Sequence, residues 1–342
     1  MISPNSPSPA TSQDHWPEHY RGRNVLVIGG SGFMGFNLVR RLVDLGAKVS
    51  IASRGITVPA DRLPPSVDAL RLDLADPSTY SHILSGRDMI FIVAGATGAV
   101  RSVALPVDDL LGNLTGQLTL LEAIRRLPKP PRVVMAGSRL VYGTAHYLPV
   151  DESHPTNPTS AYGVHKLTAE KYHLLFHRLH GVSTTVARVT VSYGPHVPAG
   201  NSSHGVVDEF ASSLLRGDPI FLYGTGEQSR DFIHIDDVVE GLLRIGACDQ
   251  TIGRTLNLGH GRPITLLALA QTLINIIGCG DISHVPWPGD AEKVETGNFY
   301  TDVSLIRHLT GWAPRVELED GLRHLLNYMR NRQPAPVSQH AM

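Results

Sequence analysis

Tyr162 and Lys166 stand four residues apart in Ser160-Ala161-Tyr162-Gly163-Val164-His165-Lys166, a stretch that reads as the opening turn of a helix. Residues at i and i+4 share one helical face, which would set the ammonium beside the phenol. A tyrosine with an unperturbed pKa of about 10 is a poor base at neutral pH, and a fixed positive charge nearby favours its phenolate. Tyr162 is therefore a candidate proton carrier and Lys166 the group expected to depress its pKa. Upstream, Gly137-Ser138 closes the apolar run Arg132 to Ala136. The order strand, Ser, loop, Tyr-x-x-x-Lys suits a reactive carbonyl held between the Ser138 hydroxyl and the Tyr162 phenol.

Such a pair needs a hydride partner, and the start of the chain offers a place for one. Asn24 to Ile28 is a short β-branched run, Gly29-Gly30-Ser31-Gly32 breaks it, and Phe33 to Leu45 carries Leu38, Leu42 and Leu45 at helical spacing. In this strand, turn and helix, Gly29, Gly32 and Gly35 lie three apart, with Phe33 and Met34 between the last two. A dinucleotide pyrophosphate requires a tight glycine turn, close approach to the main chain and the N-terminal N–H groups of a helix.

Later strands continue the reading. The second, Lys48 to Ala52, ends at Ser53-Arg54, where an NAD site usually offers an acidic side chain to the ribose. Arginine there suits a 2′-phosphate, so the expected cofactor is NAD(P) with a preference for NADP(H). The third strand, Ala69 to Leu72, delivers Asp73-Leu74 to the adenine edge, and the fourth, Met89 to Val93, delivers Ala94-Gly95-Ala96 to the nicotinamide half. Helical patterning from Leu105 to Leu127 contains Asn113 and stops at Pro128, Pro130 and Pro131.

Composition narrows the function classes. A chain of 342 residues, 42% hydrophobic and 18% charged, with net charge −1, has room for two lobes and no basic field to recruit nucleic acid. It has no run of about 18 apolar residues, so no membrane span is expected. Residues 1–20 read as a disordered leader without a signal-peptide core, and 331–342 as a disordered tail, which implies a cytoplasmic setting. Cys248 and Cys279 are far apart and are expected to be structural. His177 and His180 lack the acidic companion of a zinc motif, so no metal site is expected.

Further elements join the set: Tyr142-Gly143, Arg188, Tyr193-Gly194-Pro195, Gly224-Thr225-Gly226, Arg230-Asp231-Phe232, Asp236-Asp237, Asn257-Leu258-Gly259 and Gly311-Trp312-x-Pro314. With the glycine turn, Asp73-Leu74, Asn113, Ser138 and Tyr162-x-x-x-Lys166, they resemble the extended short-chain dehydrogenase/reductase family, in its branch of nucleotide-sugar epimerases, dehydratases and ketoreductases. The resemblance runs from about Asn24 to about Met329. It implies an α/β fold, with a doubly wound Rossmann sheet over 21–192 carrying the Ser and Tyr-x-x-x-Lys. A smaller C-terminal α/β lobe over 193–330 would mainly bind substrate. It also implies a homodimer through the helices of Asn113 and Tyr162, a nucleotide-sugar substrate, and Arg230 facing its diphosphate. Ser138, Arg139, Val191, Arg230 and Trp287 are the candidate substrate contacts.

The chain departs from the family pattern in three places. Val191 stands where an Asn commonly contacts the nucleotide sugar, and Trp287-Pro288-Gly289-Asp290 replaces Arg-x-Gly-Asp, although Trp287 could stack on a base or sugar. Arg139 follows Ser138 where 4,6-dehydratases carry an acidic pair, which argues against water elimination. A 4-epimerase is the leading reading. An NADPH-dependent 4-ketoreductase of a deoxysugar nucleotide or of a non-nucleotide natural product, and a non-catalytic cofactor-binding scaffold, are the alternatives.

Overall fold

Apolar runs of strand length alternate with amphipathic stretches of helix length, and the chain folds accordingly. The computed structural model describes residues 15–54, 63–73, 79–95, 98–196 and 205–331. The first six strands are β1 (Asn24–Ile28), β2 (Lys48–Ser53), β3 (Asp68–Arg71), β4 (Met89–Ile92), β5 (Arg132–Ser138) and β6 (Thr184–Val189). They are followed by β7 (Val191–Tyr193), β8 (Ile220–Tyr223), β9 (Ser229–His234), β10 (Thr255–Leu258), β11 (Pro263–Thr265) and β12 (Ile282–Val285). The helices of the first half are α1 (Phe33–Asp44), α2 (Tyr80–Leu84), α3 (Ala99–Ala104), α4 (Pro106–Leu110), α5 (Gly116–Arg125) and α6 (Ala161–His180). Those of the second are α7 (Val206–Arg216), α8 (Ile235–Ala247), α9 (Leu266–Ile277), α10 (Gly289–Lys293), α11 (Ser304–Thr310) and α12 (Leu318–Arg330).

Seven parallel strands form one sheet in the order β10-β6-β5-β4-β1-β2-β3. The order reverses between β1 and β4, and in such sheets ligands lie beyond the carboxyl ends of the strands at that switch point. Alternation along β1 supplies both covering layers: Val25 and Val27 pack with Leu38, Leu242 and Trp312 on one face, Leu26 and Ile28 with Leu121, Ile124 and Phe176 on the other. A smaller lobe holds the sheets β11-β9-β7 and β12-β8 around Phe210, Leu222, Phe232, Leu269 and Leu325.

Three differences from the sequence reading have physical causes. Residues Trp16–Tyr20 form a 3-10 turn, and Tyr20 is fully buried with its hydroxyl donating to the Leu243 carbonyl, so the leader expected over 1–20 does not include these residues. The small lobe is not all that lies beyond residue 193, because β10 pairs with β6 and α8 covers the large sheet. The helical patterning expected from Leu105 to Leu127 is a continuous helical run of α4, a π-helical turn over Leu111–Thr115 and α5, and the difference is the π-helical turn in its middle. That turn places the fully buried Asn113 against Gly95, where a Cβ on the glycine would lie 2.5 Å from Asn113 Oδ1.

Candidate active site

Local hydrogen bonding brings the end of β5 to the start of α6. Ser138 is buried at the end of its strand, and its Oγ accepts from Leu140 N at 3.2 Å, capping the 3-10 turn Arg139–Val141. Ser160 is the N-cap of α6, its Oγ accepting from Gly163 N at 3.2 Å. The buried Ser102 of α3 accepts from Tyr162 N at 3.0 Å. Gly163 allows the close approach: a Cβ there would come within 2.7 Å of the Leu140 carbonyl oxygen. The outcome sets the Ser138 hydroxyl beside the phenol of Tyr162, near enough to favour the phenolate.

Burial decides the electrostatics. It pushes the Tyr162 phenol up to about 12; the Ser138 hydroxyl lowers it and the Asp109 carboxylate raises it further. Lys166, almost fully buried on the same face of α6, donates from Nζ to the Ala136 carbonyl at 2.8 Å. Its own pKa is pulled down to about 8 by burial, with Asp109 and Glu170 opposing. The depression of Tyr162 expected from Lys166 is therefore absent here: desolvation dominates, and the ammonium is turned to the β5 backbone. Asp109 is held by His165 Nδ1 at 2.7 Å.

The turn after β1 has the shape a dinucleotide requires. Gly29 has φ 90°, and a Cβ on it would lie 2.6 Å from Ala94 N; one on Gly35 would lie 2.1 Å from the Gly29 carbonyl oxygen. Helix α1 starts at Gly32 with no side-chain cap and no acidic residue in its first turn, so its N–H groups are open to an anion. Phe33 and Met34 are partly buried in that turn against the core. Ser53 and the exposed Arg54 stand at the end of β2, Asp73 after β3, and Ala94 and Gly95 after β4, all on the carboxyl edge. Leu74 lies outside the described residues. These features fit a dinucleotide.

The expected substrate contacts are distributed unevenly. Arg139 is buried, donates from Nη1 to Thr296 Oγ1 at 3.1 Å, and lies 4.9 Å from the centre of the Phe299 ring. Arg230 is also buried, but its Nη2 is 2.6 and 2.7 Å from the two oxygens of Glu295, and its Nη1 donates to the Ser229 and Gly297 carbonyls. Val191 pairs in β7 with Phe232 and packs on the small-lobe core. Trp287 leans on Tyr223 with ring centres 5.4 Å apart. The sequence reading missed Ser102, Asp109 and Glu295, whose partners Tyr162, His165 and Arg230 lie 60, 56 and 65 residues away in the chain.

The sequence matches the model of the NAD-dependent epimerase/dehydratase family over residues 25–259. The chain belongs to that family. Among its relatives is a putative UDP-glucose 4-epimerase of Methanocaldococcus jannaschii, 29% identical over 309 residues, covering 90% of this chain and 98% of that protein. UDP-glucuronic acid decarboxylase 6 of Arabidopsis thaliana is 29% identical over 342 residues, covering 97% and 95%. The solved structure of MoeE5 in complex with UDP-glucuronic acid and NAD superposes with a TM-score of 0.81 at 27% identity, covering 90% of this chain and 99% of that one. This family member thus has nucleotide-sugar enzymes as relatives, and among its described residues no helix is long and apolar enough to cross a membrane.

Proposed function

We propose that the protein is an NAD(P)-dependent 4-epimerase of a nucleotide sugar. The observation that carries this reading is that the hydrogen bonds of Ser138, Ser160 and Ser102 bring the end of β5 and the first turn of α6 together, which sets the Ser138 hydroxyl beside the Tyr162 phenol. Bound NAD(P) supplies a hydride acceptor and donor. Tyr162 takes the proton from the sugar hydroxyl and returns it, and Ser138 holds the oxygen on which charge develops. Lys166 is positioned to leave Ala136 for the cofactor ribose, where its charge would then act on the phenol. Gly29, Gly32 and Gly35 with the first turn of α1 hold the pyrophosphate. Relatives that act on UDP sugars make uridine the nucleotide of choice.

Incubation of the chain with NAD or NADP and UDP-glucose, followed by separation of the hexose epimers, tests the reading. Epimer should form without net cofactor reduction, and Tyr162→Phe should lower kcat by roughly 10²- to 10⁴-fold while leaving cofactor affinity near wild type. A Phe variant within about tenfold of wild type would remove Tyr162 from its role.

Arg54 favours a second reading, an NADPH-dependent 4-ketoreductase, because it stands exposed at the end of β2 in place of an acidic residue. For this reading a 4-keto sugar nucleotide would be consumed with stoichiometric NADPH.

We also propose that the enzyme is a homodimer. Val103, Val107, Leu111, Val164 and Leu179 are exposed on α3, α4, the π-helical turn and α6, elements that pack on one another, and exposed apolar side chains on adjoining helices are what a protein contact would cover. A two-fold axis would pair these helices with a second copy.

A further inference from the structure

Lys166 is a buried ammonium whose hydrogen bond runs to a neutral group, the Ala136 carbonyl. Among the described residues no carboxylate lies within ion-pair distance of it. Two act on it from further off, Asp109 of α4 and Glu170 of its own helix, and their circumstances differ. Glu170 is clasped by Arg188 through both oxygens, at 2.9 and 2.5 Å, so its charge is already answered. Asp109 is buried as well, and its bond comes from His165 Nδ1 at 2.7 Å. A neutral imidazole can donate from Nδ1, which fixes a carboxylate without cancelling its charge.

Position singles out the same pair. His165 precedes Lys166 and follows Tyr162 by three residues, so the first two turns of α6 carry the phenol, the ammonium and the hold on Asp109 together. The other titratable groups on the elements packed there are engaged elsewhere or exposed. His173 is fully buried between Thr184 and Gln117, Arg132 is bonded to Thr185 and Thr251, and Arg139 reaches Thr296. Glu122 on α5 is bound by Arg125 and Arg126, and Arg101, Asp108 and Lys171 are exposed. We propose that Asp109, held by His165, is the positioning residue that keeps Lys166 charged at neutral pH, so that the ammonium is available to the cofactor ribose and to the Tyr162 phenol. The same carboxylate holds the proton on that phenol, which suits a group that must return a proton to the sugar. This rests on the proposed function above and adds two residues to the Ser138, Tyr162 and Lys166 set.

The full chain is labelled with carbon-13 at the lysine Cε, and the Lys166 signal, identified by its loss in Lys166→Met, is titrated by NMR without cofactor. Its midpoint should lie at about 8 in the wild type and fall to roughly 7 or below in Asp109→Asn. His165→Ala should move it in the same direction. His165→Asn, whose amide nitrogen stands where Nδ1 stands, should return it to within about 0.3 unit of wild type. Calorimetry of NAD and NADP binding supplies the functional readout. Asp109→Asn should weaken the cofactor about three- to tenfold at pH 8 and by less than about twofold at pH 6, where Lys166 is charged in both proteins. Equal weakening at both pH values would mark a merely structural role and overturn the proposal, as would a midpoint in Asp109→Asn within about 0.3 unit of wild type. Should Asp109→Asn fail to fold, His165→Ala set against His165→Asn carries the same comparison. If no sugar were turned over, the epimerase reading would fail while the titration still decided the role of Asp109.

Discussion

Glu295 clasps Arg230: Nη2 of the arginine lies 2.6 and 2.7 Å from its two carboxylate oxygens, and Oε1 also accepts from the Thr296 and Gly297 backbone N–H groups. A diphosphate arriving at Arg230 would therefore meet a guanidinium whose charge is already answered, with a carboxylate behind it. Glu295→Gln removes that repulsion and keeps an acceptor oxygen. The variant is expected to bind UDP roughly three- to tenfold more tightly by calorimetry, at a cost in thermal stability because Arg230 loses its ion partner. Unchanged or weaker binding would show that Glu295 orients Arg230 for the ligand rather than competing with it.

Lys166 is the clearest case of a site residue held against stability. Its pKa is pulled from 10.5 to about 8, so the folded state binds its proton less strongly than the unfolded chain. The sign follows: the destabilisation is fully present below pH 8, shrinks as pH rises from 8 to 10.5, and vanishes above, at a gross size of about 3 kcal/mol. Lys166→Met removes the buried charge and forfeits one hydrogen bond to Ala136. Its melting temperature at pH 7 should exceed wild type by about 2–6 °C, with the gap closing toward pH 10.5, while turnover is lost. A lower melting temperature, or a gap independent of pH, would contradict the assignment.

The βα unit around Gly29, Gly32 and Gly35 and the pair Ser138 and Tyr162 were legible because local constraints fix them: a turn that only glycine can make, a strand end, a helix N-cap at Ser160. Other residues of the same resemblance proved to be clamps. Arg188 pairs with the buried Glu170 at 2.9 and 2.5 Å and lies over the Tyr142 ring at 4.5 Å. Tyr142 in turn donates to Asn257 Oδ1 at 2.6 Å. Asp237 accepts from the Arg315 and Val316 N–H groups, and the Trp312 indole donates to its carbonyl. What the sequence could not give is partnership across long separations. Arg139 and Arg230 were both expected to meet substrate, and only the fold shows that Glu295 clasps Arg230 while Arg139 bonds the adjoining Thr296. The phenol is the same kind of case, since spacing sets Lys166 near Tyr162 but the burial that outweighs its charge belongs to the tertiary structure.

The exposed valines and leucines of α3, α4 and α6 predict assembly. Light scattering at micromolar concentration should give the mass of two chains, and Val107→Glu combined with Val164→Glu should return it to one, because like charges would face each other across a two-fold axis. A wild type that runs as a single chain would remove the dimer from the proposed function.

Arg54 bears on which of the two reactions the enzyme performs. Its guanidinium is exposed at the end of β2, next to Ser53, where a 2′-phosphate carrying close to two negative charges would be met by paired hydrogen bonds. Contacts of this kind are worth about 1.5–3 kcal/mol, so NADP(H) is expected to bind roughly ten- to a hundred-fold more tightly than NAD(H). Arg54→Ala should erase most of that difference and leave NAD(H) affinity within about twofold. Calorimetric titration of both cofactors into both proteins measures it. A preference for NADP(H) is compatible with an epimerase that returns its hydride to the same sugar, and it supplies what a reductase would need. Equal affinities, or NAD retained through purification, would remove the one observation that favours the ketoreductase and leave the 4-epimerase standing alone.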